Sequence, residues 1–396
     1  MTTSRKIPLA VYVLGFAIFA QGTSELMLSG LLPAVAADLD VSIPDAGLLT
    51  SGFALGMLVG APVLAVATLR LPRRATMLVF LAAFALSHVG SALAPGYGSL
   101  LALRVVGAFA YAGFWAVAAV TTVRLAPEGS RGKAMAVVTG GLTIATIIGV
   151  PAGTFVGQQV GWRAAFWAVA ALTALSAILV ITTVPARTGA GETPRLRSEL
   201  KVMANRRLWI AYVATAMSAG SVTALFTYLG AMLIGTTGLG ESWVPIVLLL
   251  FGLGSLAGIS LGGRFADRAA FATLTVGFAG VAILGALIYL TAASAAAVVV
   301  LIVLLGVLGF MTNPAVNVRV FTLAGDAPTL AGATNIAAFN VGITLGPWLA
   351  GLLIDGGFGL ASPALITVAL ALVGVAVVGW SRSLRHHDPA PVMAAA

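Results

Sequence analysis

The chain has no cysteine and only three histidines among its 396 residues. The first absence excludes disulfide bonds, thiol nucleophiles and thiolate metal ligands, and the second leaves too few imidazoles for a metal site. Charge is scarce as well, because Asp, Glu, Lys and Arg make up 8% of the residues, against about 25% in soluble globular proteins. No segment of the sequence could form a nucleic-acid-binding domain, and no repeated filter sequence indicates a channel. An intramembrane enzyme would need clustered His, Asp or Ser, which the spans lack.

Apolar residues are abundant, at 60% of the chain, and the mean hydropathy is +1.07. A membrane-spanning helix needs about 20 mostly apolar residues, and twelve such runs are present. They start near Leu9, Ala46, Ala75, Gly98, Ala134, Ala164, Leu208, Trp243, Phe271, Ala295, Ala331 and Ala361. The first run, from Leu9 to Pro33, is too long for a cleaved signal peptide. The sequence therefore predicts an all-α membrane protein with twelve transmembrane helices.

The net charge of +9 and the isoelectric point near 10.6 are explained by the positions of the charges. Membrane proteins concentrate Lys and Arg in their cytoplasmic loops. With the N-terminus in the cytoplasm, only Arg163 falls on the outer side and Arg104 lies within a span. The outer loops carry acidic residues instead, namely Asp38, Asp40, Asp45, Glu241 and Asp355. We expect a multi-pass protein of the cytoplasmic (inner) membrane with both termini in the cytoplasm.

The longest polar interruption, "PARTGAGETPRLRSELKVMANRRL", divides the chain into two halves of six spans. We predict an N-terminal six-helix bundle at 1–185, a basic cytoplasmic linker at 186–207, and a C-terminal six-helix bundle with a short tail at 208–396. The halves resemble each other at regular offsets, which predicts two pseudo-symmetric bundles. The matching pairs are Gly60 with Gly258, Arg70 with Arg268, and Arg124 with Arg319.

Three motifs carry a family resemblance. The loop "RLPRRATM" and its second copy "GGRFADR" are similar to a basic loop signature, although Leu69 replaces the acid in the first copy. "GGLTIATIIGVPAG" is similar to a fifth-span motif of antiporters, and its glycines, Gly140 included, predict close helix approach. The chain thus resembles the major facilitator superfamily, in which two six-span halves expose a midplane site alternately. The resemblance implies conformational-switch roles for Arg70, Arg73, Arg74, Gly149, Pro151, Gly153, Asp267 and Arg268.

Within that family, the whole chain resembles twelve-span proton-coupled drug exporters and is most similar to actinobacterial chloramphenicol-resistance exporters. "FAQGTSELMLSG" and "LALRVVGAFAYAGFW", the latter with its intramembrane arginine, carry much of this resemblance. It implies an antiporter that exports a small, largely neutral amphiphilic drug, with chloramphenicol as the best candidate. Protons would be the coupling ion, no cofactor is expected, and the protein would act as a monomer among lipids. The alternative is a proton-coupled exporter of a sugar, nucleoside or related metabolite.

Glu25 is the one acidic residue placed well inside a span. A charge at the centre of a bilayer costs about 2.5 to 3.5 kcal/mol on the insertion scale, so Glu25 requires a partner, a proton or a watery cavity. Arg104 in the fourth span has a comparable predicted depth, and we expect the two to communicate directly or through water. Two explanations remain open: a structural ion pair, or a proton-coupling pair whose protonation changes during transport.

The candidate substrate pocket combines residues on the helical faces of these two charges, in spans one and four, with residues of spans seven and eleven. Their mainly apolar and aromatic character suits a neutral amphiphile better than a sugar phosphate. They are Gln21, Ser29, Tyr111, Trp115, Ser221, Phe226, Tyr228 and Asn340. Asn313 with Asn317 in span ten, and Asn335 with Asn340 in span eleven, are expected to be hydrogen-bond partners between helices. We expect His88 to bond a neighbouring helix and Ser42 to cap the second span.

Overall fold

The structure is a computed structural model that describes residues 6–68, 71–127, 130–186, 202–325 and 328–384. We number the membrane crossings span 1 to span 12. Span 1 consists of two helices that meet at Met27, and span 5 contains a π-helical turn. The first half comprises Leu9–Leu26 and Leu28–Asp38 (span 1), Ile43–Ala67 (span 2), Arg73–Ala92 (span 3), Tyr97–Leu125 (span 4), Arg131–Ile144, Ala145–Gly149 and Val150–Val160 (span 5), and Trp162–Thr183 (span 6).

The second half starts at Arg206, two residues before the predicted boundary, and most of the predicted linker lies outside the described residues. Its helices are Arg206–Gly235 (span 7), Val244–Leu290 (spans 8 and 9), Ala295–Ala324 (span 10), Pro328–Leu353 with the π-helical turn Ile354–Phe358 (span 11), and Pro363–Ser383 (span 12). The long helix bends at Ala269, where φ is −146° and ψ is 48°. It therefore provides two crossings, and the prediction of an all-α protein with twelve spans is confirmed.

Most of the buried apolar side chains form two large cores, one in each half of the chain. The first core is drawn from residues 10–184, with Ala224, Tyr228 and Ala350 reaching into it from the second half. The second is drawn from residues 222–378, with Val150 reaching into it from the first half. The few residues that join the opposite core lie where the two halves touch.

Span 2 starts as the sequence predicts. The Ser42 hydroxyl accepts from the Asp45 backbone N–H at 3.1 Å and donates to the Asp45 carboxylate at 2.7 Å. Pro44 occupies the first turn of the helix, where its missing N–H leaves no bond unmade. The cap fixes the point at which the chain re-enters the membrane after span 1.

Glycines bring spans 1 and 5 together, and spans 7 and 11 in the equivalent place of the second half. A Cβ on Gly141 would overlap with the carbonyl oxygen of Gly15, and a Cβ on Gly342 would overlap with that of Ala216. Gly140, which the sequence predicts to permit close approach, faces open space instead. That prediction is wrong because a step of one residue turns a helix position by about 100°.

We expect Gly141→Ala to destabilise the protein and the adjacent Gly140→Ala to leave it unharmed. The first variant forces a methyl group against the backbone of span 1, and overpacking of this kind costs about 1 to 3 kcal/mol. The second places a methyl group in open space, where alanine is favoured over glycine in a helix by about 1 kcal/mol. Thermal unfolding in one detergent compares the two. Equal melting temperatures for both variants would contradict the assigned helix contact.

The two halves meet on the side where Asp38, Asp45 and Glu241 lie, which we call the Asp38 side and which the charge pattern predicts to face outward. Gln158 at the end of span 5 donates to the carbonyl oxygen of Glu241 before span 8, at 2.9 Å. Deeper in the membrane, the Ser51 hydroxyl donates to the Thr344 carbonyl at 3.0 Å. These bonds join the halves between the Asp38 side and the middle of the membrane.

A cluster of polar and charged side chains lies at the end of span 1. Arg163 and Trp162 donate to the Asp38 carboxylate, and these two hydrogen bonds lower the pKa of Asp38. A carboxyl group with a lower pKa in the folded state stabilises the fold above its unfolded pKa, and this stabilisation is lost as the pH falls through the folded pKa. Both partners are well exposed, so the contribution is small.

We therefore expect the melting temperature to fall slightly more between neutral and acidic pH in wild type than in Asp38→Asn. The variant cannot gain a proton at this position, so its stability lacks that part of the pH dependence. Thermal unfolding of both proteins across the same pH series measures the difference. Parallel curves would show that the cluster does not contribute.

Candidate functional site

Span 1 is broken beside Glu25. Pro33 has no N–H to offer to the turn before it, and its ring crowds the carbonyl of Ser29. The helix is interrupted at Met27, and the Ser29 hydroxyl donates to the Leu26 carbonyl at 2.8 Å. Glu25 lies two residues before this turn, at the interface between the two halves.

A pocket between the halves has Glu25 in its wall. The space between its atoms is about 320 Å³ when solvent-open space is included, and in this conformation the pocket has room for about one water molecule. The Glu25 carboxylate makes no hydrogen bond and no ion pair with any described residue, although its side chain is largely buried. The wall consists of Glu25, Leu26 and Ser29 from span 1, Thr50 and Phe53 from span 2, Thr223, Phe226 and Thr227 from span 7, and Ile343 from span 11.

Arg104 lies next to this pocket but does not bond Glu25. Its side chain is 1% exposed, and Nη1 donates to the carbonyl oxygen of Ser24 at 3.0 Å and to the Ser24 hydroxyl at 2.8 Å. The guanidinium carbon lies 4.2 Å from the centre of the Phe53 ring. Nε and Nη2 have no partner among the described residues. Arg104 thus bonds the residue that precedes Glu25 and forms no ion pair with Glu25 itself.

The predicted aromatic wall lies behind the pocket. Tyr111 is buried, and its ring centre lies 6.2 Å from that of Phe53 and 6.4 Å from that of Trp115. The hydroxyl group of Tyr111 is close to Gly22 of span 1. Phe53 thus separates this aromatic group and Arg104 from the open space. A conformational change that moved Phe53 would give the pocket access to both.

Four other predicted pocket residues are not in the pocket wall. Gln21 and Asn340 are buried and donate to carbonyl groups of their own helices, while their side-chain oxygens have no partner among the described residues. Ser221 donates to the Ser218 carbonyl within span 7. Tyr228 donates to the Pro347 carbonyl at 3.0 Å on the Asp38 side. Ser29 and Phe226 do line the pocket.

Several wall residues are not among those that the sequence predicts, because the pocket uses a different part of the span 7 surface. The sequence predicts Ser221 and Tyr228, seven residues apart, together with Phe226, whereas the pocket face carries Thr223, Phe226 and Thr227. The spacing of three and four residues in the latter set is the pattern of one helical face. In span 2, Thr50 and Phe53 show the same spacing. A search for faces that combine hydroxyl groups with an aromatic ring could have found both sets.

The π-helical turn of span 5 connects the two halves near Glu25. A Cβ on Gly149 would overlap with Thr23 of span 1, and one on Gly252 of span 8 would lie 2.8 Å from the carbonyl oxygen of Thr146. Pro151, two residues after the turn, lacks the N–H that a regular turn would use. Gly153 makes only an ordinary contact. Turns of this type occur often at functional sites.

The predicted charged switch residues lie on the opposite side from Asp38. Arg73 and Arg74 begin span 3, and Asp267 and Arg268 directly precede the bend at Ala269 with exposed side chains. Arg70 lies outside the described residues. Asp267 and Arg268, from the second copy of the loop signature, thus lie at the junction of spans 8 and 9.

The other polar predictions have mixed outcomes. His88 bonds span 1 through Ser24, as expected. Asn335 bonds both Asn317 and Thr215 between helices, at 2.9 Å each. The other two amides, Asn340 and Asn313, were expected to bond across helices. Among the described residues, Asn340 bonds only within its own helix through its amide nitrogen, and Asn313 contributes its backbone carbonyl to Asn317 of the same helix, so for these two the prediction is wrong.

Comparison with known proteins gives consistent relatives over the full length of the chain. It is 40% identical to a chloramphenicol resistance protein of Streptomyces lividans, over 92% of this chain and 95% of that one. It is 36% identical to the uncharacterized MFS-type transporter YtbD of Bacillus subtilis (98% and 99% covered). It is also 33% identical to the inner membrane transport protein YdhP of Escherichia coli K12 (89% and 91%).

The fold also matches a solved transporter. A bacterial homolog of the human lysosomal transporter Spinster, in an inward-facing and unoccupied conformation, superposes with a TM-score of 0.78 at 17% identity, over 97% of this chain and 98% of that one. The family model described as Major Facilitator Superfamily matches residues 14–338. Members of this family are transporters and not enzymes. The chain belongs to the major facilitator superfamily.

Proposed function

We propose that the protein is a proton-coupled antiporter that exports small, largely neutral amphiphilic drugs, with chloramphenicol as the best candidate substrate. The observation that carries the proposal is the position of Glu25. It is the one ionisable side chain in the wall of a pocket between the two halves, and no described residue bonds its carboxylate.

The isolation of Glu25 favours proton exchange over a structural ion pair. A carboxylate that fixed two helices would be bonded to its partner, whereas Arg104 uses its bonded nitrogen on Ser24. A largely buried carboxylate without a partner is costly to keep charged. Binding a proton removes that cost, and releasing it requires water, substrate or Arg104 to come closer. Glu25 is therefore suited to take up and release protons as access alternates.

The substrate class follows from the pocket wall and from the relatives. Two phenylalanines and two aliphatic side chains provide apolar surface, and the hydroxyl groups of Ser29, Thr50, Thr223 and Thr227 provide a few polar contacts. Such a mixture suits an amphiphile with few charges. The 40% identity with a chloramphenicol resistance protein favours chloramphenicol.

The energetics of exchange are sufficient for export. One proton that moves inward through a potential of 100 mV supplies about 2.3 kcal/mol, and about 1.4 kcal/mol corresponds to a tenfold concentration ratio. One proton per drug therefore supports concentration by tens-fold. In this proposal the protein acts as a monomer in the cytoplasmic membrane with both termini inside. Arg73, Arg74, Asp267, Arg268 and the π-helical turn of span 5 take part in the change of access.

Uptake of labelled chloramphenicol into everted membrane vesicles tests the proposal. Such vesicles expose the cytoplasmic side, so an acidic lumen should drive drug inward in exchange for protons. We expect accumulation that depends on the protein and ceases when an ionophore collapses the pH gradient. Accumulation that ignores the gradient would contradict antiport. Exchange of labelled sugars or nucleosides, without chloramphenicol transport, would favour the metabolite exporter instead.

A further inference from the structure

A chain of hydrogen bonds joins spans 4, 1 and 3 directly behind Glu25. Arg104 donates from Nη1 to the Ser24 hydroxyl at 2.8 Å. The same hydroxyl lies 2.5 Å from Nε2 of His88, and Nδ1 of His88 lies 2.8 Å from the carbonyl oxygen of Phe84. Ser24, His88 and Arg104 are each at most 2% exposed. The proposed proton exchange at Glu25 makes no use of Ser24 or His88.

The partners determine where each proton in this chain lies. A carbonyl oxygen only accepts, so Nδ1 of His88 carries the hydrogen and donates it to Phe84. The Ser87 hydroxyl, 3.3 Å from Nδ1, already donates to the Phe84 carbonyl at 2.7 Å and does not compete. In the neutral ring Nε2 is then an acceptor. The Ser24 hydroxyl donates its single proton to Nε2 of His88 and accepts a hydrogen bond from Nη1 of Arg104. Both the proton and the oxygen of the hydroxyl group therefore have a partner.

A neutral His88 is also the form that suits the buried charge of Arg104. A cationic imidazole would place a second positive charge on the same buried hydroxyl group, and it would leave the proton of Ser24 without its acceptor. Like charges at this separation oppose each other strongly where water is excluded. The geometry therefore gives His88 the role of a neutral acceptor.

The consequence for Arg104 is that it stays close to Glu25 without pairing. Nη1 is held by both oxygens of Ser24, and the guanidinium rests against Phe53. Glu25, the next residue along the chain, has no bond to it. Without the Ser24 hydroxyl, only the backbone carbonyl would hold Arg104, and the carboxylate would be the strongest available acceptor.

We propose that Ser24 and His88 are positioning residues that hold Arg104 away from Glu25 and so keep the Glu25 carboxyl group able to bind the coupled proton. This inference rests on the proposed function, because it assigns these residues a part in proton exchange at Glu25. A carboxylate paired with arginine is stabilised in its charged form. If Arg104 paired with Glu25, the Glu25 carboxyl group would already be deprotonated and would have no proton to release when the drug binds.

Few other groups can influence Glu25. Among the described residues, span 4 contributes Arg104 and the phenol of Tyr111, both of which interact electrostatically with Glu25. Span 3 contributes His88 behind Ser24. The faces of spans 2, 7 and 11 that line the pocket carry only uncharged side chains, and the span 5 turn, "ATIIG", has no ionisable group. The position of Arg104 is therefore the main electrostatic variable at this carboxyl group.

Proton release on adding chloramphenicol to the detergent-purified protein tests the inference. Ser24→Ala removes the hydroxyl group, and Ser24→Thr is the matched control that keeps it. At neutral pH we expect Ser24→Ala to release several-fold fewer protons per bound drug, with similar drug affinity, and Ser24→Thr to behave like wild type. Lowering the pH should restore release in Ser24→Ala, because acid protonates the paired carboxylate, but not in Glu25→Gln.

The outcomes separate the inference from the proposed function. Absence of drug-induced release in wild type overturns the proposed function and this inference with it. Normal release in wild type and in Ser24→Ala at every pH overturns the inference alone. A loss in Ser24→Ala that acid does not restore also overturns it, since damage to the fold would then explain the loss.

Nitrogen NMR of labelled histidine gives a second, independent test. His88 is assigned by comparison with His88→Gln, whose amide oxygen can still accept from Ser24. We expect the neutral form with the hydrogen on Nδ1. A cationic ring, or a hydrogen on Nε2, would overturn the proposed order of hydrogen bonds.

Discussion

A Glu25→Gln variant is expected to bind chloramphenicol but to lose accumulation driven by a pH gradient. Glutamine has the shape of the protonated carboxyl group and cannot release a proton, so the pocket persists while coupling is removed. Accumulation should fall from tens-fold to equality of the drug on the two sides. Movement of drug down its own concentration gradient should continue, because it requires no proton.

Everted vesicles with an acidic lumen measure the first effect, and exchange of labelled for unlabelled drug without a gradient measures the second. Glu241→Gln is the matched control, since the exposed Glu241 lies on the Asp38 side, where its backbone carbonyl rather than its side chain accepts from Gln158. Glu25→Gln that still accumulated drug would assign the coupling proton to another group. A variant without any drug binding would instead give Glu25 a role in holding the substrate.

The fold could be predicted from the sequence because its determinants are local. Each span is a run of apolar residues, and the requirement that backbone groups bond within the segment leaves a helix as the form of each run. The Ser42 cap is likewise encoded within four residues. The two crossings within Val244–Leu290 follow from the separate apolar runs near Trp243 and Phe271, which meet at the non-helical Ala269.

The site could be predicted only in part, because it depends on which faces meet. The charge at Glu25 was visible in the sequence, as was a nearby arginine. That Arg104 bonds Ser24 and not Glu25 depends on the rotation of span 4 relative to span 1, which no spacing rule specifies. The same limit applies to Gly140 and Gly141, where the neighbouring residue makes the contact, and to Tyr228.

The sequence predicts Tyr228 to be a substrate residue, but its surroundings suit a different role. Its ring is fully buried between spans 2, 7 and 11 on the Asp38 side, and its hydroxyl donates to the Pro347 carbonyl. A Cβ on Gly47 would overlap with that hydroxyl and lie 2.6 Å from the ring carbon that bears it. A Cβ on Gly351 would lie 2.8 Å from the same oxygen. Closure on this side thus depends on two glycines that make room for one ring.

In a Gly47→Ala variant we accordingly expect the state that is closed on the Asp38 side to be less populated and drug transport to be slower. The ring cannot move aside without losing its bond to Pro347, so spans 2 and 7 must separate. Overpacking costs about 1 to 3 kcal/mol, which shifts an equilibrium between two states by roughly 5- to 150-fold. Alternating access needs both states to be populated, and the turnover falls when one becomes rare.

Spin labels can measure this shift directly because the chain has no cysteine of its own. Cysteines introduced at Gln158 and Glu241, which touch across the halves, should report longer distances in Gly47→Ala than in the unmodified background. Gly98→Ala, whose added carbon would meet nothing within 4 Å, should leave the distances unchanged. Adding Tyr228→Ala to Gly47→Ala should bring the labels together again, since it removes the ring that the methyl group strikes. Unchanged distances in Gly47→Ala would mean that the ring adapts in place and that closure does not depend on this contact.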